Sequence, residues 1–236
     1  MDIFARKTIS LEQQIMKSIP VLLPIANLII CIAVFLTHKY AETAPPSVWL
    51  SFIIIQLGIS TYCGILIKRL HFGANCDELT GLYSRRYLNS RLGEEIERAK
   101  RTHFSFSLVF IDTDNFKAVN DTYGHLTGDK VLRKLGEILK SNTRSIDIVA
   151  RWGGEEFAII MPETNMDGAI TFAERLRGTV ENYNFGFKVT ISLGVVSLHE
   201  EITIDELLTR ADIALYAAKE KKNRVVNYSK LIEGLN

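Results

Sequence analysis

The sequence has few cysteines and almost no net charge, and both shortages exclude classes of site. Its three cysteines, Cys31, Cys63 and Cys76, form no CxxC pair and no Cys/His ligand spacing, so we expect neither disulfides nor a zinc site. The 28 basic and 27 acidic residues give a formal net charge of +1. Proteins that bind a nucleic acid polymer usually have a strongly basic domain or face. No such partner is expected here, and any anion site must be local.

Charged residues are absent from two stretches near the N-terminus, residues 19–37 and 48–67. Each is about 20 residues long, which as an α-helix matches the roughly 30 Å hydrocarbon core of a bilayer. A cleaved signal peptide would need a shorter apolar stretch and would not explain the second one. A buried helical hairpin in a soluble protein remains an alternative. We predict two transmembrane helices joined by a short periplasmic loop.

The basic residues around these stretches predict the orientation of the hairpin. They precede the first stretch and follow the second, and one lies between them: Arg6, Lys7 and Lys17, then Lys68 and Arg69, with Lys39 in the loop. Because cytoplasmic segments are enriched in Lys and Arg, both ends should be cytoplasmic. Residues 1–18 then form a cytoplasmic segment and residues 68–76 a short linker.

Residues 77–230 have the mixed polar and apolar composition of a soluble domain. Apolar periodicity predicts helices at residues 86–101, 116–123, 128–142, 166–183 and 204–221. It predicts strands at residues 104–112, 148–152, 156–161, 187–196 and 224–228. Strands that alternate with helices indicate an α/β or α+β sheet domain.

Gly153 and Gly154 lie between two predicted strands, and Glu155 and Glu156 follow them. Two glycines accept the positive φ of a tight hairpin turn and let a bulky substrate approach the backbone. Carboxylates beside such a turn are suited to hold a divalent cation. From spacing alone, a solvated hairpin tip with incidental acids is an equally good interpretation.

Asp112 ends an apolar run, so a buried strand is expected to deliver its carboxylate to the edge of the sheet, where open sheets commonly bind ligands. We interpret Asp112 as a metal ligand. Asp114 is interpreted instead as the N-cap of the helix that begins near Asn115 or Phe116. Two carboxylate centres on neighbouring strand ends suit two Mg²⁺ ions that act on phosphate oxygens.

Several ordered motifs resemble one family. Residues 151–157 (RWGGEEF) resemble the GGDEF/GGEEF signature of diguanylate cyclases, and residues 77–86 (DELTGLYSRR) resemble the family's opening DxLTGLxNRR motif. Residues 110–117 (FIDTDNFK), 120–121, 123–125 and 128–129 follow its central pattern, and residues 211–219 (ADIALYAAK) resemble its closing motif. The resemblance covers about residues 77–228.

The resemblance implies an α+β fold similar to class III nucleotide cyclases and polymerase palms, with a ferredoxin-like sheet flanked by helices. It implies an enzyme that joins two GTP molecules into cyclic di-GMP across a homodimer, with two Mg²⁺ ions per active site and Mn²⁺ as a possible substitute. With the predicted hairpin, the chain would be a multi-pass protein of a bacterial inner membrane whose catalytic domain is cytoplasmic.

The resemblance also implies roles for individual residues. Asp112, the Thr113 carbonyl and Glu155 would bind metal, and Glu155 and Glu156 would be catalytic. Asn120 and Asp129 match guanine-reading positions. Phe116, Lys117 and Lys219 would complete the substrate site, with both lysines on the triphosphate. Turn and cap roles for Asn120 and Asp129, and solvated lysines, are the alternatives.

One further segment departs from the family pattern, and another matches it. After Lys219 the family reads KxxGRNRV, whereas this chain is one residue shorter and lacks the glycine, so Lys222 would replace a phosphate-binding arginine. Lysine supplies a point charge in place of the bidentate arginine fork, which would alter phosphate binding. Arg144 and Asp147 match the RxxD site through which the family's product inhibits synthesis; a surface salt bridge is the alternative.

Intact Asp112, Glu155 and Glu156 favour an active cyclase over a catalytically silent receptor that senses cyclic di-GMP and signals through the hairpin. A third interpretation is another nucleotide cyclase or a hybrid-dinucleotide synthase, which base preference at Asn120 and Asp129 would distinguish.

Overall fold

The computed structural model describes residues 23–36, 46–102, 104–198 and 202–233. The chain divides into two compact units, Met1–Ala74 and Asn75–Asn236.

Two apolar helices make up the described part of the first unit. Helix α1 is Leu23–Leu36, and α2 is Pro46–Asn75. Within α2, Leu50–Ile67 is an apolar stretch of 18 residues, which as a helix extends about 27 Å. Among the described residues, α2 is the one helix long and apolar enough to cross a membrane, judged by length and composition alone.

The sequence predictions for this unit have different outcomes. The predicted second span lies within α2. Parts of the predicted first span, and most of the predicted loop, fall outside the described residues. Residues 68–75, predicted as a linker, are helical, because no proline interrupts α2 after its apolar stretch.

The second unit alternates strands and helices. In chain order its elements are β1 Tyr83–Ser84, α3 Arg85–Thr102, β2 Phe106–Thr113, α4 Phe116–Tyr123, α5 His125–Asn142, β3 Ile148–Arg151, β4 Glu156–Met161, α6 Met166–Asn182, β5 Ile191–Leu198, α7 Ile204–Lys221, β6 Val225–Asn227 and α8 Tyr228–Glu233. Among the described residues the strands form one sheet of six, in the order β1-β3-β4-β2-β5-β6.

The sheet is mixed. Strand β2 lies at its centre, antiparallel to both β4 and β5, and β3 is antiparallel to β4. The short strands β1 and β6 are parallel to their neighbours β3 and β5. Asp112 on β2 is in register with Glu156 on one side and Ser192 on the other. The two central pairings therefore bring three polar residues together at the end of β2.

Helices cover both faces of the sheet. On one face α4, α5 and α6 pack on alternate strand residues such as Val109 and Ile159. On the other face α3 and α7 pack on the intervening residues, such as Leu108 and Ile160. Because successive strand residues point to opposite faces, Asp112 belongs to the face covered by α3 and α7. The α+β prediction, with helices flanking a partly antiparallel sheet, is confirmed.

The two largest errors in predicted boundaries are at the starts of β5 and α5. Strand β5 begins at Ile191, where its partner β2 ends at Thr113, so the apolar alternation before Ile191 has no ladder to join. Helix α5 begins at His125, because the amides of Thr127 and Gly128 already donate to the Gly124 carbonyl. The short elements β1 and α8 were not predicted.

Candidate functional site

Asp112 lies at the C-terminal end of β2 and is only 3% exposed. Its Oδ2 accepts a hydrogen bond of 2.7 Å from Lys219 Nζ, near the end of α7. A buried carboxylate is stable when a cation or hydrogen-bond donor accompanies it, and the Lys219 ammonium is both. The structure therefore brings together two residues predicted to act on metal and phosphate.

The turn between β3 and β4 places Glu155 against the end of β2. The amides of Trp152 and Gly153 donate to the Glu156 carbonyl at 2.8 and 3.3 Å, which closes the turn. Both the amide and the hydroxyl of Thr113 donate to the Glu155 carbonyl, at 3.2 and 3.1 Å. The predicted metal ligands Asp112, Thr113 and Glu155 are therefore neighbours.

The predicted positive φ at the two turn glycines is wrong. Neither Gly153 nor Gly154 has a left-handed φ; that conformation occurs at Gly81, Gly124 and Gly186. Their small size is used differently. A Cβ on Gly153 would lie 2.7 Å from Glu156 Oε2, whereas nothing lies within 4 Å of one on Gly154. Gly154 thus leaves open space beside the acids.

The charges around the turn are strongly coupled. Burial raises the pKa of Asp112, aided by Asp114 and opposed by Lys219. Burial also raises the pKa of Glu155, and repulsion from Asp112 and Glu156 adds to it. Burial by itself lowers the pKa of Lys219, but the hydrogen bond to Asp112 and the surrounding acids outweigh it and raise that pKa. Added positive charge would relieve this repulsion.

The donor set suits a hard divalent cation. Mg²⁺ prefers oxygen ligands and is usually held by one or two carboxylates together with substrate phosphates. Asp112 and Glu155 supply two carboxylates, and Thr113 supplies a carbonyl. Within the described ranges no three His, Cys, Asp or Glu side chains are grouped as a metal site.

The predicted guanine site lies where α4 packs on α5. Asn120 is half-buried and packs on Gly128, since a Cβ there would lie 2.0 Å from Asn120 Oδ1 and 3.1 Å from Phe116 Cζ. Asp129 follows Gly128 in α5 and is half-buried. The structure therefore brings Phe116 and Asn120 of α4 against Gly128, the residue before Asp129 in α5. Their amide, carboxylate and aromatic groups suit the edge and face of a purine.

The two other predicted lysines differ in their surroundings. Lys222 Nζ donates to Asn115 Oδ1 at 2.6 Å, so its ammonium lies over the turn that follows β2. Lys117 is exposed in the first turn of α4. No hydrogen bond or ion pair within the described part of the chain joins Lys117 to the acids.

Asp114 does not cap α4, contrary to the prediction. The N-cap is Asn115, at φ 56° and ψ 28°, and its side chain makes no cap bond. Asp114 is buried and accepts hydrogen bonds from Thr190 Oγ1 and Ser192 Oγ on the β5 side, and from the Asn223 amide. Its carboxylate satisfies donors from distant segments and so cannot turn toward α4.

Arg144 and Asp147, the predicted inhibitory pair, are also brought together. Asp147 Oδ2 accepts from the Arg144 amide at 2.8 Å, and Arg144 Nη2 donates to Thr164 Oγ1 at 3.1 Å. The Arg144 side chain is 56% exposed, while that of Asp147 is 1% exposed. Asp147 Oδ1 is buried with no partner among the described residues, and burial raises the Asp147 pKa. One cation thus faces solvent beside an unsatisfied acceptor.

The salt bridge between Asp77 and Arg151 was not predicted from the sequence. Arg151 Nη1 donates to both carboxylate oxygens of Asp77, at 3.2 and 3.1 Å. The same guanidinium donates to the carbonyls of Gly153 and Gly154, so it braces the glycine turn. Both residues belong to motifs quoted above, but nothing in the sequence pairs them.

Comparison with known proteins agrees with the geometry. Residues 74–224 match the family model described as "Diguanylate cyclase, GGDEF domain". The chain is 43% identical over 159 residues to the response regulator PleD of Caulobacter vibrioides, covering 64% of this chain and 35% of PleD. It is 40% identical over 168 residues to the diguanylate cyclase DgcM of Escherichia coli, covering 68% of this chain and 40% of DgcM.

A solved structure has the same fold. The coiled coil and GGDEF domain of DgcB from Caulobacter crescentus, in complex with c-di-GMP, matches with a TM-score of 0.72 at 26% identity, over 75% of this chain and 97% of that one. The chain spans 35% to 40% of the length of the two curated relatives above. Since the family model covers well over half of the chain, this protein belongs to the GGDEF-domain family of diguanylate cyclases.

Proposed function

We propose that this protein is an active diguanylate cyclase that converts two GTP molecules into cyclic di-GMP and two pyrophosphates. The observation that carries the proposal is the contact of Thr113 with the Glu155 carbonyl, which places Glu155 beside the buried Asp112. Two acids brought together beside an ammonium group at a strand end are an arrangement typical of a catalytic site.

We propose that two Mg²⁺ ions act in each site, with Mn²⁺ as an alternative. Asp112, the Thr113 carbonyl and Glu155 would hold one, and Glu156 would contribute to the second. Bound divalent cations offset phosphate charge and make a hydroxyl easier to deprotonate. Burial and, to a smaller extent, repulsion from Asp112 and Glu156 raise the pKa of Glu155. A bound cation would offset that repulsion, which supports this part of the proposal.

The chain's own groups would orient GTP. Lys219, whose ammonium lies at the end of β2, and Lys222, whose ammonium lies over the turn that follows β2, would contact the triphosphate. Lys117 would lie at its periphery. Asn120 and Asp129 would hydrogen-bond the guanine edge, and Phe116 would pack below it. A site that hydrogen-bonds a base rejects analogues that leave its buried polar groups unpaired.

The reaction requires two copies of the domain. Each copy binds one GTP, and the 3′-oxygen of each GTP attacks the α-phosphorus of the other. The bond between that phosphorus and the oxygen bridging to the β-phosphate breaks, and pyrophosphate leaves. Glu155 would accept the hydroxyl proton. Because the product has two-fold symmetry, a symmetric homodimer is the simplest arrangement.

The N-terminal unit would anchor this enzyme in a bacterial inner membrane with the GGDEF domain in the cytoplasm. The apolar stretch Leu50–Ile67 and the positions of the flanking basic residues support this proposal. After lysis, the full chain should sediment with membranes and be released by detergent but not by alkaline carbonate. Release by carbonate would contradict an integral anchor.

Cyclic di-GMP would inhibit synthesis by binding Arg144 and Asp147. The exposed Arg144 guanidinium suits a product phosphate. Asp147 Oδ1 is buried and unpartnered among the described residues, so the side chain would have to turn toward solvent to accept from a guanine N–H.

The test is incubation of the detergent-purified full chain with Mg²⁺ and GTP, ATP or an equal mixture of the two, followed by chromatography of the nucleotides. Cyclic di-GMP from GTP, none with Glu155→Ala and no dinucleotide from ATP would support the proposal. A mixed or adenine product would favour a different cyclase. Absence of product from wild type, with cyclic di-GMP still bound, would favour the silent receptor.

A further inference from the structure

The turn between α7 and β6 has an unusual backbone. Lys222 and Asn223 are consecutive residues with positive φ, 57° and 46°, and neither is glycine. Residues other than glycine rarely adopt a positive φ, although asparagine tolerates it better than most. The surroundings must hold such a turn in place. This is the segment in which the chain is one residue shorter than the family pattern and lacks its glycine.

The carboxylate of Asp114 accepts three hydrogen bonds that tie this turn to the sheet; these three bonds are called the Asp114 tie below. Its carboxylate, in a residue only 6% exposed, accepts from the Asn223 amide at 2.8 Å. It also accepts from Thr190 Oγ1 at 2.7 Å and from Ser192 Oγ at 2.6 Å. One buried side chain therefore joins the end of β2, the start of β5 and the left-handed turn.

Neighbouring contacts complete this tie. Asn115, itself at φ 56°, accepts from Lys222 Nζ at 2.6 Å. On the other side, the Asn223 side chain accepts from Arg177 Nη1 at 2.9 Å and donates to Glu181 Oε1 at 2.7 Å. The turn is thus held on both sides, and the Lys222 ammonium lies over the β2–α4 turn.

We propose that Asp114 is a positioning residue for the triphosphate: it holds the glycine-free turn in the conformation that places the Lys222 ammonium over the β2–α4 turn. This inference deepens the proposed function and rests on it, because Lys222 matters only if a triphosphate binds there. The hydrogen bonds that Asp114 accepts hold this turn in place without the conformational freedom that a glycine would have provided. Asp114 acts through Lys222 and does not touch the nucleotide.

The first experiment compares Asp114→Ala with Asp114→Asn in the full chain. Asparagine can rotate so that its oxygen still accepts from Thr190 and Asn223 while its amide donates to Ser192, so the tie survives without the charge. Binding of 3′-deoxy-GTP, which cannot react, should weaken about 10-fold in Asp114→Ala, and by much less in Asp114→Asn. Binding of GMP, which lacks the β- and γ-phosphates, should change less than about 2-fold in both.

A purely structural role would give a different pattern. Equal loss of 3′-deoxy-GTP and GMP binding in Asp114→Ala would overturn the proposal, as would unchanged binding of both. If Asp114→Asn loses as much as Asp114→Ala, the charge matters and not the tie, which also overturns it. Asp167→Ala, at an exposed acid in α6, is the control for loss of an aspartate.

A double-mutant cycle tests the link to the cation. Lys222→Gln keeps a side chain of similar length without the charge, and if Asp114 acts through Lys222, adding Asp114→Ala to it should weaken 3′-deoxy-GTP binding no further. Additive losses would overturn the proposal. Should Asp114→Ala not fold, Asn115→Gly replaces it in the cycle, because glycine accepts φ 56° and removes only the side-chain tie to Lys222.

The proposed function has its own readout in the same samples. If wild type binds neither nucleotide and makes no cyclic di-GMP from GTP, the cyclase proposal fails and the positioning role fails with it. If wild type makes cyclic di-GMP but Asp114→Ala keeps its affinity for 3′-deoxy-GTP, only the positioning role fails.

Discussion

Lys219 Nζ donates a 2.7 Å hydrogen bond to Asp112 Oδ2 across 107 residues of sequence. This contact requires α7 to lie close against the sheet, and Gly194 on β5 permits it. A Cβ on Gly194 would lie 2.3 Å from the Leu215 amide nitrogen and 2.7 Å from the Ala211 carbonyl oxygen. Backbone atoms cannot yield as a flexible side chain can, so this glycine sets the distance between α7 and Asp112.

Gly194→Ala should therefore damage both stability and activity. The added methyl group would push α7 away from β5, at a cost of about 1–3 kcal/mol in the free energy of unfolding. Displacing Lys219 by a fraction of an ångström should lower kcat about 10- to 100-fold. Thermal unfolding and cyclic di-GMP synthesis measure the two effects. Unchanged kcat in a folded variant would show that the Lys219 contact is not needed.

Gly128→Ala should act on guanine recognition. The new Cβ would meet the Asn120 amide at 2.0 Å and displace it, so the KM for GTP should rise about 10-fold, as expected for a lost polar contact to substrate. Gly178→Ala is the matched control for both glycine variants, because nothing lies within 4 Å of a Cβ at that position in α6. It should stabilise the protein by about 0.5–1 kcal/mol and leave KM unchanged. An unaltered KM in Gly128→Ala would contradict the assignment of Asn120.

Arg144→Ala should relieve product inhibition. Wild-type progress curves should flatten as cyclic di-GMP accumulates, whereas the variant should need at least about 10-fold more product for the same inhibition, since an Arg–phosphate hydrogen bond is lost. Initial rates should stay equal. Arg133→Ala, at an exposed arginine on α5, should behave as wild type. Identical inhibition of both variants would favour a plain surface salt bridge.

Asp77→Asn should change the pH dependence of stability. Burial raises the pKa of Asp77, but hydrogen bonds from Thr80 and the Arg151 charge outweigh it, so the pKa in the folded protein is lowered. A lowered carboxyl pKa contributes stability above the unfolded-state value, which is lost as pH falls through the folded value. The variant should therefore melt below wild type at pH 7, and the difference should shrink below about pH 4. A difference in Tm that is constant from pH 7 to pH 3 would contradict this.

Much of the fold was predictable because local periodicity determines it. Helices α4 and α7 and strand β4 have the predicted bounds. Strand β5 was predicted to begin too early because Phe187 and Val189 continue its apolar alternation. Val189 is buried, but the pairing of β5 with β2 begins only at Ile191. Strand β1 has two residues, too few to produce a periodic signal.

The site was predictable where residue type and strand position coincide, as at Asp112 and Glu155. It was not predictable where a side chain joins distant segments. Asp77 and Arg151 are 74 residues apart, and the donors to Asp114 lie 76, 78 and 109 residues away. Asp114 beside a helix start has the local pattern of an N-cap, and only tertiary structure shows which donors it accepts.

The most direct test of the account compares Glu155→Gln with Glu137→Gln, an exposed glutamate on α5 that pairs with Lys134. Cyclic di-GMP and pyrophosphate are measured from GTP and Mg²⁺ with the full chain. Wild type and Glu137→Gln should each release one cyclic di-GMP for every two pyrophosphates. A folded Glu155→Gln should make cyclic di-GMP at least about 100-fold more slowly. Synthesis by Glu155→Gln at the wild-type rate would contradict the site, and no synthesis by wild type would contradict the cyclase.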